Sequence, residues 1–227
     1  MKILYEDKYL LLCEKPVGVE SQVSSKNKED MPTLLSGYRR DKGEDTYIGV
    51  VHRLDVATGG AMIYSKRSDM TGKLSALVQS GDYKKVYLAV VHGEPAEQSG
   101  EMRDLLYHDK MKNKSFVCDK KRNGVKEAIL NYRVLEVAEN ENGEKMSLVE
   151  VELVTGRTHQ IRVQFASRKL PLVGDGKYGS RDNHATCALW SHKVELVHPI
   201  TKKIILAERM PQNGYPWSLF GSLNFDD

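Results

Sequence analysis

The 227-residue chain lacks long apolar runs, and it has only three cysteines and few aromatic residues. No stretch approaches the roughly 18 apolar residues that cross a bilayer, and acidic residues occur too early for a signal peptide. Cys13, Cys118 and Cys187 lie far apart without a CxxC pair, which argues against structural zinc and against a disulfide framework. These absences predict a cytoplasmic protein that has no metal and no membrane partner.

The usual signatures of cofactor sites are missing or incomplete. Gly174–Gly179 matches GxGxxG, but the residues at 181–184 (Arg-Asp-Asn-His) are not a helix core, so we predict a glycine-rich turn and not a dinucleotide site. No GxSxG elbow is present, and the histidines never fall at a metal-ligand spacing. We therefore expect no nucleotide and no other cofactor.

Charge is segregated along the chain, although the formal net charge is only +3. Residues 109–133 carry eight Lys or Arg against three acids, and residues 157–181 carry six against one. Between them, residues 136–152 carry six acids against one lysine. This pattern indicates a cationic face suited to a polyanion. Solvated loops without a partner are the alternative.

Strand signals dominate, and no repeat or Pro/Gly linker divides the chain, so we predict a single domain over 1–227. The predicted strands are rich in Val, Ile and Leu: 3–5 and 9–13 as an opening hairpin, then 86–91, 128–137, 146–154, 187–197 and 203–207. One helix is predicted from Ser68 to Val78, and another from Thr158. Without βαβ alternation the class is α+β, with a mixed, mostly antiparallel central sheet and flanking helices and loops.

The most unusual stretch, His-Arg-Leu-Asp at 52–55, is followed by a Thr-Gly-Gly turn at 58–60 and lies between two apolar strand-like runs. An isolated aspartate at this position is ordinarily a turn residue that bonds to the Thr58 amide, and this interpretation stays open. His52 and Arg53 supply potential cations beside Asp55. The two glycines leave room for a ligand against the backbone.

A second unusual block, TGRTHQIRVQF, covers residues 155–165. On the predicted helix, Arg162 shares a side with His159, Phe165 and Ala166 and does not face water. A guanidinium on a packed face requires a carboxylate partner, because burying it alone is costly. A purely structural ion pair is the alternative.

Four motifs occur in one order along the chain: HRLDxxTG, KxYxAVVHG, TGRTHQIRVQ and GDxxYG. Together they resemble the RluA-type family of RNA pseudouridine synthases from Ile3 through Pro199, nearly the whole chain. The resemblance implies the pseudouridine synthase catalytic fold with a catalytic cleft across the sheet, no cofactor, and ribosomal or transfer RNA as partner. Residues 14–18, with Lys15 and Pro16, match the opening motif of the family. Because the chain starts at this opening motif, we expect a monomeric catalytic domain without the N-terminal RNA-binding domain of some relatives.

The resemblance also implies roles for individual residues. Asp55 corresponds to the catalytic aspartate, and Arg162 to the arginine that pairs with it. Tyr87 corresponds to the tyrosine that stacks on the target base and helps to remove the proton from its carbon 5. Arg53 corresponds to the side chain that fills the gap left by the extruded base. Further RNA-contact candidates are His52, Arg157, His159 and Gln160, and the structural motif positions are Lys15, Pro16, Thr58 and Gly59.

The implied reaction detaches a uracil base from its ribose, turns it, and rejoins carbon 5 to the sugar. The carboxylate can attack the ribose, attack the uracil ring or remove a sugar proton, and the sequence leaves these three routes open. Two departures from the family pattern stand out. Gly59 replaces the usual Ser of Thr-Ser-Gly, and residues 19–22 replace an apolar residue followed by His or Pro.

The loop 110–116, continued by 120–122, is the expected source of RNA recognition. Lys112, Lys114 and Lys121 suit phosphate contacts, and Phe116 suits stacking on a base. A disordered cationic loop is the alternative. Two rival functions also remain: a non-catalytic RNA-binding protein on the same fold, and an RNA glycosidase, for which no second carboxylate is suggested.

Overall fold

A computed structural model describes residues 1–23 and 29–225, and it divides the chain into two units. The first unit comprises Met1–Lys85 and Ser191–Arg209, and the second comprises Val86–Trp190 and Met210–Asp227. Strands β5 (Tyr83–His92) and β10 (Leu189–Val197) each contribute residues to both units. Organisation as one domain stays a prediction.

The first unit is built on a sheet that begins with the predicted hairpin. Strands β1 (Ile3–Glu6) and β2 (Leu10–Lys15) pair antiparallel, and β2 pairs antiparallel with β4 (Gly59–Ser65). The strand order is β1-β2-β4-β10-β5, with β11 (Ile204–Glu208) on β10 and β3 (Gly49–Val50) on β4. Every residue of β4 is buried, so the strand that follows Asp55 lies inside the unit.

The predicted Thr-Gly-Gly turn is wrong at its second and third residues, because Gly59 and Gly60 are the first residues of β4. Gly60 has φ +111°, and a Cβ at this position would lie 2.2 Å from the Ser191 carbonyl oxygen. The close approach of this backbone therefore requires glycine here. The resulting strand begins four residues after Asp55.

Two helices belong to the first unit. Helix α1 (Met31–Asp41) was not predicted from the sequence, although Asp30 caps it by accepting a hydrogen bond from the Thr33 amide at 2.8 Å. Helix α2 (Ser68–Ser80) confirms the prediction and ends at Gly81, which is left-handed with φ +93°. No helix in the described part of the chain is long and apolar enough to cross a membrane.

The second unit has the strand order β5-β9-β8-β6-β7, and all these pairings are antiparallel. Its remaining strands are β6 (Ser99–Asp109), β7 (Lys114–Cys118), β8 (Val125–Glu139) and β9 (Lys145–Leu153). The strands predicted at 86–91, 128–137 and 146–154 are confirmed. Strand β6 was missed because charged residues interrupt its apolar pattern, and only Met102 and Leu106 of its residues are buried. The α+β class is confirmed; the catalytic cleft stays a prediction.

Helix α3 (Gln160–Ser167) begins two residues later than predicted. His159 occupies the position before it in the left-handed conformation, with φ +54°, so Thr158 cannot be its first residue. Every residue of α3 from 160 to 165 is buried. The apolar side chains pack inside the unit, and the polar side chains of Gln160 and Arg162 bind groups of the protein. The glycine-rich turn predicted at 174–179 is confirmed and contains one turn of 3-10 helix, Gly176–Tyr178.

Candidate active site

Asp55 lies in a tight turn of the first unit, shortly before β4. The Thr58 amide donates to the backbone carbonyl of Asp55 at 2.9 Å, so main-chain atoms close this turn. This main-chain bond closes the turn whatever the side chain at residue 55. The Asp55 side chain is half-buried.

The backbone on both sides of Asp55 is held by Gly18 and Ser21. The Ser21 hydroxyl donates to the Leu54 carbonyl at 2.7 Å and accepts from the Leu54 amide at 3.0 Å. The Gly18 amide donates to the Val56 carbonyl at 2.8 Å. Ser21 is only 2% exposed. These bonds fix the residues before and after Asp55, and hence the position from which its carboxylate projects.

Lys15 also supports the Asp55 turn. Its side chain is completely buried, and its ammonium donates to the carbonyls of Pro16 at 2.9 Å, Val19 at 2.7 Å and Val56 at 3.3 Å. Burial lowers the pKa of Lys15 to about 8, while the carboxylates of Glu20 and Asp55 act in the opposite direction. The Asp55 charge is thus within electrostatic reach of a buried cation.

His52 and Arg53 are in different environments. The His52 Nε2 atom lies 3.1 Å from the Tyr83 hydroxyl and accepts from the Ile63 amide at 3.3 Å. Burial, together with the charge of Lys85, lowers the pKa of His52 to about 3, so this imidazole is neutral near pH 7. Arg53 is exposed. RNA contact stays a prediction for both residues, and the structure gives His52 internal partners.

Tyr87 belongs to the second unit, on the face of the sheet that α3 covers. The register places Tyr87 opposite Val151, which in turn lies opposite Tyr132, and directly opposed residues share a face. Phe165 of α3 packs edge-on against Tyr132, with ring centroids 5.8 Å apart. Tyr87 is 6% exposed.

Arg162 projects from α3 into a bidentate ion pair that the sequence analysis did not identify. Its Nε and Nη2 atoms each lie 2.7 Å from a carboxylate oxygen of Asp175, and both side chains are buried. The guanidinium also lies 5.1 Å from the centroid of the Tyr178 ring. Asp175 and Tyr178 are the Asp and Tyr of the GDxxYG motif, and this motif was the feature of the sequence that could have identified the partner of Arg162. Pairing of Arg162 with Asp55 stays a prediction.

The turn before α3 is fixed by Tyr178 and Ser115. The Tyr178 hydroxyl lies 2.9 Å from His159 Nδ1 and accepts from the Ser115 amide at 2.8 Å. The Ser115 hydroxyl donates to the Thr158 carbonyl at 2.6 Å. Burial raises the pKa of the Tyr178 hydroxyl, against the lowering effects of its hydrogen bonds and of Arg162. His159 is only 9% exposed. Contact of this residue with RNA stays a prediction.

Gln160 closes the same turn from inside. Its Oε1 atom accepts from the Thr155 hydroxyl at 2.8 Å and from the Arg157 amide at 3.0 Å, and its Nε2 donates to the Ile129 carbonyl at 3.0 Å. The side chain is 3% exposed, so it positions backbone in this structure. Arg157 is exposed and donates to the Glu127 carbonyl at 2.8 Å. RNA contact stays a prediction for both.

The first part of the predicted lysine loop, residues 110–116, forms the turn of the β6–β7 hairpin and the first residues of β7. Strand β7 begins at Lys114, and the Asp109 carboxylate accepts from the Met111 and Lys112 amides in the turn. Lys112 and Lys121 are exposed. The Lys114 ammonium lies 5.1 Å from the Tyr178 ring centroid, so this lysine also approaches the turn before α3.

A family model described as RNA pseudouridylate synthase matches residues 9–167. This span includes Asp55, Tyr87 and Arg162. The chain belongs to the RluA-type family of RNA pseudouridine synthases. Members of this family are isomerases, and the family assignment gives the chain this reaction class. In the described part of the chain, no group of three or more His, Cys, Asp or Glu residues could hold a metal ion.

Individual relatives agree with the family assignment. The chain is 33% identical over 211 residues to the uncharacterized RNA pseudouridine synthase YhcT of Bacillus subtilis, covering 92% of this chain and 68% of the relative. It is 32% identical over 215 residues to ribosomal large subunit pseudouridine synthase C of Buchnera aphidicola, covering 90% and 65%. The chain therefore spans about two thirds of the length of these relatives.

Two solved human structures share the fold. Human RNA pseudouridylate synthase domain containing 4 gives a TM-score of 0.74 at 20% identity, covering 93% of this chain and 89% of that chain. Human RNA pseudouridylate synthase domain containing 1 gives 0.77 at 20% identity, covering 92% and 83%. These likenesses establish the pseudouridine synthase fold.

Proposed function

We propose that this chain isomerises uridine to pseudouridine in RNA, with the Asp55 carboxylate as the catalytic group. The observation that carries the proposal is the construction of the Asp55 turn. Main-chain atoms close the turn, and Ser21 and Gly18 hold both of its flanks. A carboxylate is not needed to form such a turn, whereas carbon–nitrogen bond cleavage requires a reactive group held in one place.

Arg162 is proposed to keep the Asp55 carboxylate ionised and oriented, because a nearby positive charge favours the charged form of a carboxyl group. Two of the guanidinium nitrogens already bind Asp175, which fixes the plane of the group. A guanidinium carries five N–H donors, so one that is fixed in this way can serve a second carboxylate.

Tyr87 and Arg53 are proposed to handle the extruded base and the gap it leaves. A target uridine must leave its stack at a cost of a few kcal/mol, and aromatic or guanidinium surfaces reduce that cost. Tyr87 supplies a ring for the base, and the exposed Arg53 supplies a planar cation for the gap. Attack on ribose, attack on uracil and removal of a sugar proton are the three routes open to the Asp55 carboxylate.

Large-subunit ribosomal RNA is the proposed substrate, and transfer RNA is the alternative. The support is that relatives from Buchnera aphidicola and Pseudomonas aeruginosa carry the names ribosomal large subunit pseudouridine synthase C and D. We also propose that the protein acts in the cytoplasm as a monomer. No observation favours the non-catalytic alternative.

The test is tritium release from RNA labelled at carbon 5 of uridine, with ribosomal and transfer RNA assayed separately. The native protein should release tritium, and Asp55→Asn should reduce turnover by about 10³-fold or more while RNA binding persists. Asp41→Asn, at the exposed end of α1, is the matched control and should behave as the native protein does. Appreciable turnover by Asp55→Asn would remove this residue from the mechanism.

A further inference from the structure

Two aromatic residues lie directly opposite each other on the β6–β7 hairpin of the second unit. The register pairs Tyr107 directly with Phe116, so both side chains project from the same face. Phe116 is 38% exposed and Tyr107 is half-buried. Strand β7 is the last strand in the order of this unit, so the pair lies at the end of the sheet.

A positively charged side chain lies close to each of the two rings. The Arg122 guanidinium lies 5.5 Å from the centroid of the Tyr107 ring, and the Lys114 ammonium lies 5.9 Å from that of Phe116. Residues 109–126 contain seven Lys or Arg against two Asp. One of these acids, Asp109, binds amides of the hairpin turn. Aromatic rings beside cations form the surface on which proteins stack unpaired nucleic acid bases.

The pair projects from the face opposite to that of Tyr87. Tyr132 shares the face of Tyr87 and lies opposite Gly100, so the even-numbered residues of β6 belong to that face and Tyr107 does not. Lys114 connects the two sides, because its ammonium also lies 5.1 Å from the Tyr178 ring, which packs with Leu106.

We propose that Tyr107 and Phe116 form a stacking platform for unpaired bases of the RNA, away from the target uridine, with Lys114 and Arg122 contacting adjacent phosphates. The proposal rests on the proposed function and deepens it, since it specifies single-stranded RNA outside the reacting nucleotide. The charge of the surrounding residues favours a polyanion over a protein partner.

The test measures binding of a fluorescent single-stranded oligouridylate and of an RNA duplex. Phe116→Leu and Tyr107→Leu keep apolar side chains but remove the rings, so each should weaken single-strand binding about 5- to 10-fold with little effect on the duplex. Tyr107→Phe keeps the ring and should retain native affinity. In the tritium assay, the KM of the leucine variants for RNA should rise by the same factor.

Val117→Ala is the matched control, because Val117 is 37% exposed on the same strand but projects from the opposite face. It should bind the oligouridylate as the native protein does. Native affinity in both leucine variants would overturn the platform, and so would an equal loss in Val117→Ala. If the native protein released no tritium while ring removal still weakened binding, the platform would stand and the proposed reaction would fail.

Discussion

Asp55 and Arg162 are positioned by different forces, each within its own unit. The Asp55 turn of the first unit is held by several hydrogen bonds: neutral ones from Ser21 and Gly18 to the adjacent backbone, and one from the buried Lys15 ammonium to the Val56 carbonyl. Arg162 of the second unit is held by a buried bidentate ion pair with Asp175. A neutral hydrogen bond contributes about 1 kcal/mol net, whereas breaking a buried ion pair on one side costs about 3–5 kcal/mol. The aspartate is therefore held by many weak contacts, and the arginine mainly by one strong contact.

Removing the carboxylate of Asp175 should have the largest effect on stability. Asp175→Ala leaves the Arg162 guanidinium buried without this partner, and the free energy of unfolding should fall by about 3–5 kcal/mol. Urea denaturation followed by circular dichroism measures this change. The control is Glu150→Gln, which breaks the exposed pair with Arg133 and should cost at most about 1 kcal/mol. An equal loss of unfolding free energy in the two variants would show that the buried ion pair contributes no more than the exposed one.

Removing the Ser21 hydroxyl should have a smaller effect on stability. Ser21→Ala deprives both the amide and the carbonyl of Leu54 of their bond, and this should lower the free energy of unfolding by about 2–3 kcal/mol. Since Leu54 precedes Asp55, kcat should fall about tenfold with little change in KM.

Ser21→Thr keeps the hydroxyl and should restore most of the kcat that Ser21→Ala loses. Tritium release and urea denaturation on the same preparations separate the effect on catalysis from that on stability. A loss of stability without any change in kcat would mean that Ser21 supports the fold but does not position Asp55.

The smallest effect concerns the pH dependence contributed by His52. Its pKa is about 3 in the folded protein and about 6.5 when unfolded, so between these values the unfolded chain binds a proton that the folded protein does not. His52 therefore makes the free energy of unfolding decrease as pH falls below about 6.5. From pH 7 to 5.5, the native protein should lose about 1 kcal/mol relative to His52→Gln.

Urea denaturation of both proteins at the two pH values measures this difference. The comparison cancels groups that titrate alike in the two proteins. If the two proteins lost equal stability between these pH values, His52 would not be held neutral in the folded state.

The sequence predicted several elements correctly where apolar patterning was strong. The opening hairpin, β8, β9 and the Gly81 end of α2 are confirmed because local pattern and capping decide them. It missed β6, whose charged residues are tolerated since few positions of the strand are buried. It also placed a turn at Gly59 and Gly60, although both belong to a strand in which a neighbouring backbone selects glycine at position 60.

The prediction for Arg162 shows the same division between local and distant information. Helical spacing indicated that a packed guanidinium needs a carboxylate. It could not identify Asp175, which lies 13 residues away and meets Arg162 only through the fold of the glycine-rich turn. The motif that contains Gln160 predicted contact with RNA. In the folded protein the side chain is buried and bonds to the Ile129 carbonyl, which the motif did not indicate.

The amino-acid sequence alone determined the family motifs, the strongest strands, the α+β class and the residue types that the chemistry requires. These features are local or follow from the order of motifs along the chain. The tertiary structure decided which distant groups meet: Ser21 with Leu54, 33 residues apart, and Tyr107 with Phe116 across the hairpin. Such contacts depend on strand register and on burial, which arise only when segments remote in sequence pack together.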